Sequence, residues 1–259
     1  MTYDLTGRVA LVTGASGNIG AAIARKLRAD GAMVVSADLP GHLGGGESED
    51  WHALDIVDET SWATLIAWIE GRHGRLDILV NNAGIAPMGK LEDMAIAEWR
   101  RCMAINVDGA FLGIRTALPL LRTTAATAGH DARIVNVASA AGVRASPLSS
   151  AYCTSKAAVG MLTKAAAIEF ASLGYPVRAN SVHPAAVESD MIDAILDRYS
   201  AITGGTPVDD LRAGLIAGHP FGRLVRPDEV ADAVLFLCSE AARYLNATEI
   251  HVDGGMIAS

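Results

Sequence analysis

Residues Arg8–Gly20 read RVALVTGASGNIG. The first five, Arg8–Val12, form a short and almost wholly apolar run, the pattern of a strand buried on both faces. Thr13-Gly14-Ala15-Ser16-Gly17-Asn18-Ile19-Gly20 then places three glycines within eight residues, and Ile19–Ala29 continues as a helix. A glycine-rich turn between a strand and a helix lets the backbone approach a pyrophosphate closely. The helix N-terminus adds free amides and a partial positive charge. The same turn could close a tight corner with no ligand, but its place after a strand and before a helix favours binding.

The alternation repeats outward from this turn. The pattern predicts strands at Met33–Ala37, Trp51–Leu54, Leu76–Val80, Arg133–Ala138, Val177–Val182 and Glu249–Val252. It predicts helices at Thr60–Glu70, Ala97–Arg122, Ala151–Ser172 and Asp228–Cys238, the first with Trp62, Leu65, Ile66 and Ile69 near one face. Such an order implies an α/β chain: one doubly wound domain, residues 1–259, with a mostly parallel sheet covered by helices on both sides. The least regular segments are Gly41–Asp50 and Asp190–Pro220. Residues 190–220 read either as a helical substrate flap or as a long surface connection. We favour the flap, because long loops in compact domains are often functional.

Composition narrows the function classes. Of 259 residues, 51% are hydrophobic and 19% charged, which is globular and not disordered. A net charge of -8 and a pI near 5.3 make a poor polyanion binder, which argues against nucleic acid and anionic membrane surfaces. Cys102, Cys153 and Cys238 are too widely spaced for a disulfide framework or a metal site, so no metal is expected and a reducing, cytoplasmic setting fits. The N-terminus lacks the basic and apolar regions of a signal peptide. No run of about 18 apolar residues is evident to cross a membrane.

The second predicted strand leads to Asp38, about 20 residues past the glycines, where a carboxylate accepts hydrogen bonds from both ribose hydroxyls of an adenosine. It would repel a 2′-phosphate, and neither Leu39 nor Pro40 supplies a compensating base. The residues therefore favour NAD over NADP. Further on, Tyr152 and Lys156 lie four apart on a predicted helix and share a face. A free tyrosine has a pKa of about 10, too high for a base at neutral pH. A nearby ammonium and a positive nicotinamide ring favour the phenolate. Tyr152 could then exchange the proton of an alcohol or ketone oxygen, with Ser139 holding the same oxygen. Taken alone, Tyr152 and Lys156 could be a solvated pair, Ser139 a turn residue and Asn106 a helix-kinking one.

The ordered set of the glycine turn, Asn81-Asn82-Ala83-Gly84, Asn106, Ser139, Tyr152-Cys153-Thr154-Ser155-Lys156 and Asp253-Gly254-Gly255 resembles the short-chain dehydrogenase/reductase family over essentially the whole chain. The resemblance implies a Rossmann-type fold, hydride transfer between NAD and an alcohol or ketone, and Asn106, Ser139, Tyr152 and Lys156 as the catalytic set. It implies that Asn106 supports a water connecting Lys156 to solvent, and that Lys156 also holds the nicotinamide ribose. The cofactor contacts it implies are Gly14, Ser16, Asn18, Ile19, Asp38, Leu39, Asp55, Ile56, Asn82, Ala83, Gly84, Tyr152, Lys156, Pro184, Val187 and Ser189. It further implies a homotetramer joined through two long helices and near the C-terminal strand. Ala157, Ala158, Ala165, Ala166 and Ala167 would permit close helix approach, and would serve internal packing equally well.

Three positions depart from the family pattern. Asn18 stands where the family usually has Gly, and Asn tolerates positive φ better than most residues. Ala185 follows Pro184 where Gly is usual, and Ser189 replaces a commoner Thr while keeping the hydroxyl. His183, next to Pro184, reads as structural, and Cys153 as a small packing residue. Val143, Ala145, Pro147 and Leu148, with Met191, Ile192, Ile195, Leu196, Tyr199 and Ile202 of the flap, suggest an apolar pocket to which no Arg converges. Asp190, Asp193 and Asp197 would then point to water. That pocket would suit a hydrophobic, cyclic secondary alcohol. Alternatives are an NADPH-dependent 3-oxoacyl reductase, against which Asp38 argues, and a catalytically silent dinucleotide-binding regulator.

Overall fold

The structure, a computed structural model, describes residues 3–43 and 50–259; most of the glycine-rich segment Gly41–Asp50 lies outside the described residues. Among the described residues seven strands, β1 (Val9–Thr13), β2 (Met33–Asp38), β3 (Asp50–Ala53), β4 (Ile78–Asn81), β5 (Ala132–Val137), β6 (Val177–Pro184) and β7 (Glu249–Val252), form one sheet in the order β3-β2-β1-β4-β5-β6-β7. Every pairing is parallel. The order reverses direction between β1 and β4. In an open α/β sheet, ligands bind in the crevice beyond the carboxyl ends of the strands at such a point.

Helices α1 (Asn18–Ala29) and α8 (Pro227–Cys238) cover one face, while α2 (Glu59–His73), α4 (Gly109–Ala128) and α5 (Ser150–Ser172) cover the other. The period-2 alternation of the strands sorts their side chains between the two layers. Ala10, Val12, Ile78, Val80, Val135 and Val137 pack with Ile23, Leu27, Val230 and Val234. Val9, Leu11, Leu79, Ile134 and Ala179 pack with Trp62, Ile69, Leu112, Leu121 and Phe170. The face expected for Trp62, Leu65, Ile66 and Ile69 is thus the buried one. Asp58 caps that helix by accepting from Thr60 N–H at 2.8 Å, and Gly74 ends it with φ 66°.

The predicted helix Ala97–Arg122 differs in two ways. It runs from α3 (Ile96–Met103) through a π-helical turn, Ala104–Asp108, into α4, and it continues to Ala128. Beyond Arg122, Thr123 and Thr127 each return a hydroxyl to the helix, Thr123 to Pro119 O and Thr127 to Thr123 O, both at 3.1 Å. Buried Thr124 accepts from Leu76 N–H at 2.9 Å. The continuity also corrects the expectation about apolar stretches. By length and composition the helix Ile96–Ala128 holds a stretch of 18 residues apolar enough to cross a membrane. In the structure Leu112, Ala117 and Leu121 of this segment are core residues against the sheet. Residues 190–220 hold two helices, α6 (Asp190–Ile202) and α7 (Val208–Ala217), linked by an Asp193–Arg212 ion pair.

Candidate active site

A cleft of about 950 Å3 opens at the carboxyl ends of the strands, running from the glycine turn to α6 and α7. At its base Gly14 has φ 64°, and a Cβ there would lie 2.8 Å from Ala83 Cα. A Cβ on Gly20 would lie 2.1 Å from the Gly14 carbonyl oxygen. Both positions are therefore closed to side chains, and the backbone itself forms the cleft wall. The Asn82 amide donates to the carbonyls of Thr13 (3.0 Å) and Gly14 (3.1 Å), while Thr13 Oγ1 accepts from the N–H groups of Asn82 (3.0 Å) and Ala83 (3.1 Å). These bonds tie the turn to the end of β4. Asn18 does not need positive φ: it opens α1 in helical conformation after Gly17 at φ -75°. The first helical bond at this end is Ala21 N–H to Gly17 O at 2.8 Å, which leaves the amides of Asn18, Ile19 and Gly20 beside the cleft.

Every residue of the expected cofactor set lines this one cleft. Asp38 Oδ2 accepts from Ser16 N–H at 3.0 Å and from the Ser16 hydroxyl, and Oδ1 accepts from Leu39 N–H at 2.8 Å. The carboxylate is thereby fixed at the end of β2. Asp55 Oδ1 accepts from Val57 N–H at 3.1 Å, and the Ile56 carbonyl from Trp62 Nε1 at 2.9 Å. Across the cleft Ser189 caps α6, accepting from Ile192 N–H at 3.4 Å and donating to Val187 O at 2.9 Å. Ala185 is buried at the wall and donates its N–H to Val252 O at 3.1 Å.

Ser139, Tyr152 and Lys156 meet in the middle of the cleft. Ser139 follows β5, and its Oγ accepts from Ala141 N–H at 3.1 Å. Lys156 Nζ donates to Val137 O at 2.8 Å, 5.9 Å from the Tyr152 ring centre. Burial pushes the Lys156 ammonium down to about 8. Burial likewise pushes the Tyr152 phenol up, against the opposing hydrogen bond with Ser139. Desolvation is the larger of the two, so the protein's own groups favour the protonated phenol, and the phenolate expected from the sequence depends on the added charge of a nicotinamide ring. Asn106 sits in the π-helical turn behind the cleft. Its amide accepts from Ile85 N–H (2.8 Å) and donates to Ile85 O (2.9 Å) and Ser155 Oγ (2.9 Å). A small cavity of about 10 Å3 lies among Asn106, Lys156, Asn81 and Thr13, and buried Asn81 Oδ1 has no partner. That is about the space one water centre needs.

In the outer half of the cleft, Met191, Ile192, Ile195, Leu196 and Tyr199 line the wall as expected, but Ile202 does not. Val143 and Ala145 are exposed, leaving Pro147, Ser146 and Ser149 from that loop. Leu148 instead takes φ 61°, an unusual conformation for a branched residue, and its carbonyl accepts from Gly89 N–H at 2.9 Å. As expected of the acidic residues, Asp190, Asp193 and Asp197 are exposed; Asp193 is paired with Arg212, and Asp190 also lines the cleft. The expectation that no Arg converges is overturned: Arg101 lines the cleft, one turn ahead of Ile105, which also does. Nothing in its own segment marked Arg101, because its approach to the cleft depends on how α3 packs. Met88, Leu211, Leu215, His219 and Met256 also line it, and no motif marked them.

Comparison with known proteins agrees with this geometry. A family model described as enoyl-(acyl carrier protein) reductase matches residues 14–257. The chain is 38% identical to cis-4-hydroxycyclohexanecarboxylate dehydrogenase of Sinomonas cyclohexanicum, over 97% of each chain. It is 35% identical to cyclopentanol dehydrogenase of Comamonas sp., over 97% of this chain and 98% of that one. It is 31% identical to the NADP-dependent (R)-specific alcohol dehydrogenase of Lentilactobacillus kefiri, over 100% of both. Among solved structures, ligand-free aldohexose dehydrogenase of Thermoplasma acidophilum superposes with a TM-score of 0.88 at 32% identity, covering 100% of this chain and 97% of that one.

Proposed function

The chain belongs to the short-chain dehydrogenase/reductase family, and from that premise we propose that it is an NAD-dependent dehydrogenase of cyclic secondary alcohols. The observation that carries this reading is the convergence of Ser139, Tyr152 and Lys156 midway along a cleft with Asp38 at one end and an apolar wall at the other.

The residues fit a nicotinamide dinucleotide. The turn has no room for a side chain at Gly14 or Gly20, and the amides of Asn18, Ile19 and Gly20 suit a pyrophosphate. Asp38, held by Ser16 and Leu39, would take the ribose hydroxyls and repel a 2′-phosphate. Asp55 and Ile56 would flank adenine, and Val187 and Ser189 the carboxamide. When bound, the group supplies the hydride acceptor and a positive ring that favours the Tyr152 phenolate. The Tyr152 oxygen then takes the substrate's hydroxyl proton as the carbinol C–H bond breaks, and Ser139 donates a hydrogen bond to the same oxygen. Lys156 holds the ribose side and keeps positive charge near the phenol. A water in the cavity beside Asn81 and Asn106 would link Lys156 onward.

Ile192, Ile195, Leu196, Leu211 and Leu215 suit a carbocycle, and the names of the cyclopentanol and hydroxycyclohexanecarboxylate dehydrogenases support the same class. Arg101 admits a ring bearing a carboxylate. A second reading, reduction of an acyl-carrier substrate, is favoured by the description of the family model and by the similarity to a solved 3-ketoacyl-(acyl-carrier-protein) reductase. Residues 190–220 act as the substrate flap of a single domain, 1–259. We place the protein in the cytoplasm as a homotetramer. Exposed Phe111 on α4 and exposed Met161, Ala165 and Ile168 on α5 support assembly through those helices, whereas Ala167 is core. The test is a screen of cyclopentanol, cyclohexanol, hydroxycyclohexanecarboxylates, sugars and acyl thioesters with both cofactors. Cyclic alcohols with NAD⁺ should give the highest kcat/KM; a preference for sugars or acyl thioesters would refute the substrate class.

A further inference from the structure

His183 lies outside the cleft lining yet touches the backbone of the residue on which the proposed chemistry depends. Its ring is 1% exposed, on the side of β6 that faces α5. Nδ1 stands 3.2 Å from the Ser139 carbonyl oxygen, and Nε2 stands 2.8 Å from Ser181 Oγ. A carbonyl only accepts, so Nδ1 carries the proton; the Ser181 hydroxyl then donates to Nε2. The Ser139 carbonyl also accepts from Gly142 N–H at 2.9 Å, so the two bonds fix the peptide that carries the Ser139 side chain.

The Cε1 corner of the same ring, between its two nitrogens, supports the other half of the pair. A Cβ on Gly160 of α5 would lie 3.3 Å from His183 Cε1 and 3.2 Å from Glu249 Oε1. The helix bearing Tyr152 and Lys156 therefore rests at its glycine directly on this imidazole. Around it lie Glu249 of β7, 3.8 Å from Nε2 and paired with Lys164 of α5 at 2.7 Å, and His251 of β7, stacked at 5.2 Å between ring centres. Burial lowers the His183 pKa against the opposing pull of Glu249, in keeping with a neutral ring.

We propose that His183 is a positioning residue that sets the spacing between Ser139 and Tyr152, by donating Nδ1–H to the Ser139 carbonyl while its ring edge supports α5. The proposal rests on the dehydrogenase reading above for its catalytic consequence, but not for its geometry. Two experiments separate them. In ¹⁵N-histidine NMR of the whole protein at pH 7, with His183→Asn assigning the resonance, His183 shows the neutral Nδ1–H tautomer. An Nε2–H tautomer or a doubly protonated ring overturns the proposal whether or not any alcohol turns over. In kinetics with cyclopentanol and NAD⁺, His183→Leu lowers kcat about tenfold, the scale of one hydrogen bond lost, with NADH affinity by fluorescence within about twofold of wild type. His183→Asn, whose amide reaches where Nδ1 stood, recovers most of the loss. Unchanged kcat in His183→Leu, equal losses in both variants, or a parallel loss of NADH affinity overturns it. A wild type inert toward every alcohol tested defeats the dehydrogenase reading and leaves the tautomer to decide the geometry.

Discussion

The chemistry assigned to this chain is concentrated in a few side chains whose environments pull in opposite directions. Tyr152 is raised by burial, so its proton must be lost through the charge that arrives with a ligand. Tyr152→Phe should reduce turnover by about 10² or more while NADH binding by fluorescence persists, since general acid/base catalysis has that scale; near-normal turnover would exclude Tyr152. Lys156 carries the complementary strain. Its ammonium, usually near 10.5, is held at about 8 by burial. A depressed pKa means that the stability linked to this group is full above 10.5, and is lost as pH falls through about 8. Lys156→Met should therefore melt higher than wild type at pH 7, by on the order of 2–3 kcal/mol from the size of the shift less one hydrogen bond, with the difference shrinking toward pH 10. A variant equally or less stable at pH 7 would show that the buried charge is better compensated than its single bond to Val137 suggests. At Asp38, the double change Asp38→Ala with Leu39→Arg should move the kcat/KM ratio toward NADP⁺. An unmoved ratio would assign cofactor choice elsewhere.

At the scale of elements, the sheet was readable because buried parallel strands are written as uninterrupted apolar runs, and the first of them, Val9–Thr13, ends in a turn that tolerates no side chain at two positions. The glycine turn and Asp38 were therefore legible from their places at strand ends, whereas Tyr152 and Lys156, a plain i,i+4 pair by spacing, took meaning only from the ordered set of motifs around them. The π-helical turn was not, because the extra residue that places Asn106 leaves hydrophobic periodicity nearly unbroken. Nor were Arg101 and His219, whose approach to the cleft depends on how α3 and the end of α7 pack and not on their own segments. Helix α8 illustrates a signal visible in sequence but decided by geometry. Glu229 accepts from Arg226 N–H at 2.8 Å and from Arg223 at 2.8 and 2.6 Å. The Arg223 guanidinium and this backbone amide hold its carboxyl at about 2. A lowered carboxylate pKa contributes stability above the ordinary value near 4.5 that is lost as pH falls through about 2. Glu229→Gln should thus melt lower than wild type at pH 7 and approach it near pH 2; a constant difference across that range would rule out the charge as the cause.

For the whole molecule, α4 and α5 present Phe111, Met161 and Ile168 to the surface at 45%, 63% and 62% exposure, although the same helices supply core residues from their other sides. If the proposed tetramer forms through these helices, Met161→Lys with Ile168→Lys should give a smaller species by light scattering without unfolding the chain. An unchanged mass would move the interface elsewhere, and a wild type that is already monomeric would remove the need for one. Arg101 bears on substrate range in the same integrated way. Arg101→Met should lower kcat/KM for a hydroxycyclohexanecarboxylate about tenfold and leave cyclopentanol nearly unchanged, the loss expected for one exposed charge-assisted bond. The predictions about turnover, cofactor and substrate rest on a single claim, that the cleft between the glycine turn and Tyr152 oxidises a cyclic secondary alcohol at the expense of NAD⁺. The most direct measurement of it is the initial rate of 340 nm absorbance for the purified protein with cyclopentanol, in parallel with NAD⁺ and with NADP⁺. We predict rapid reduction of NAD⁺ and at least about tenfold slower reduction of NADP⁺, as one carboxylate facing a 2′-phosphate would impose; equal or faster reduction of NADP⁺, or no reduction of either, would contradict it.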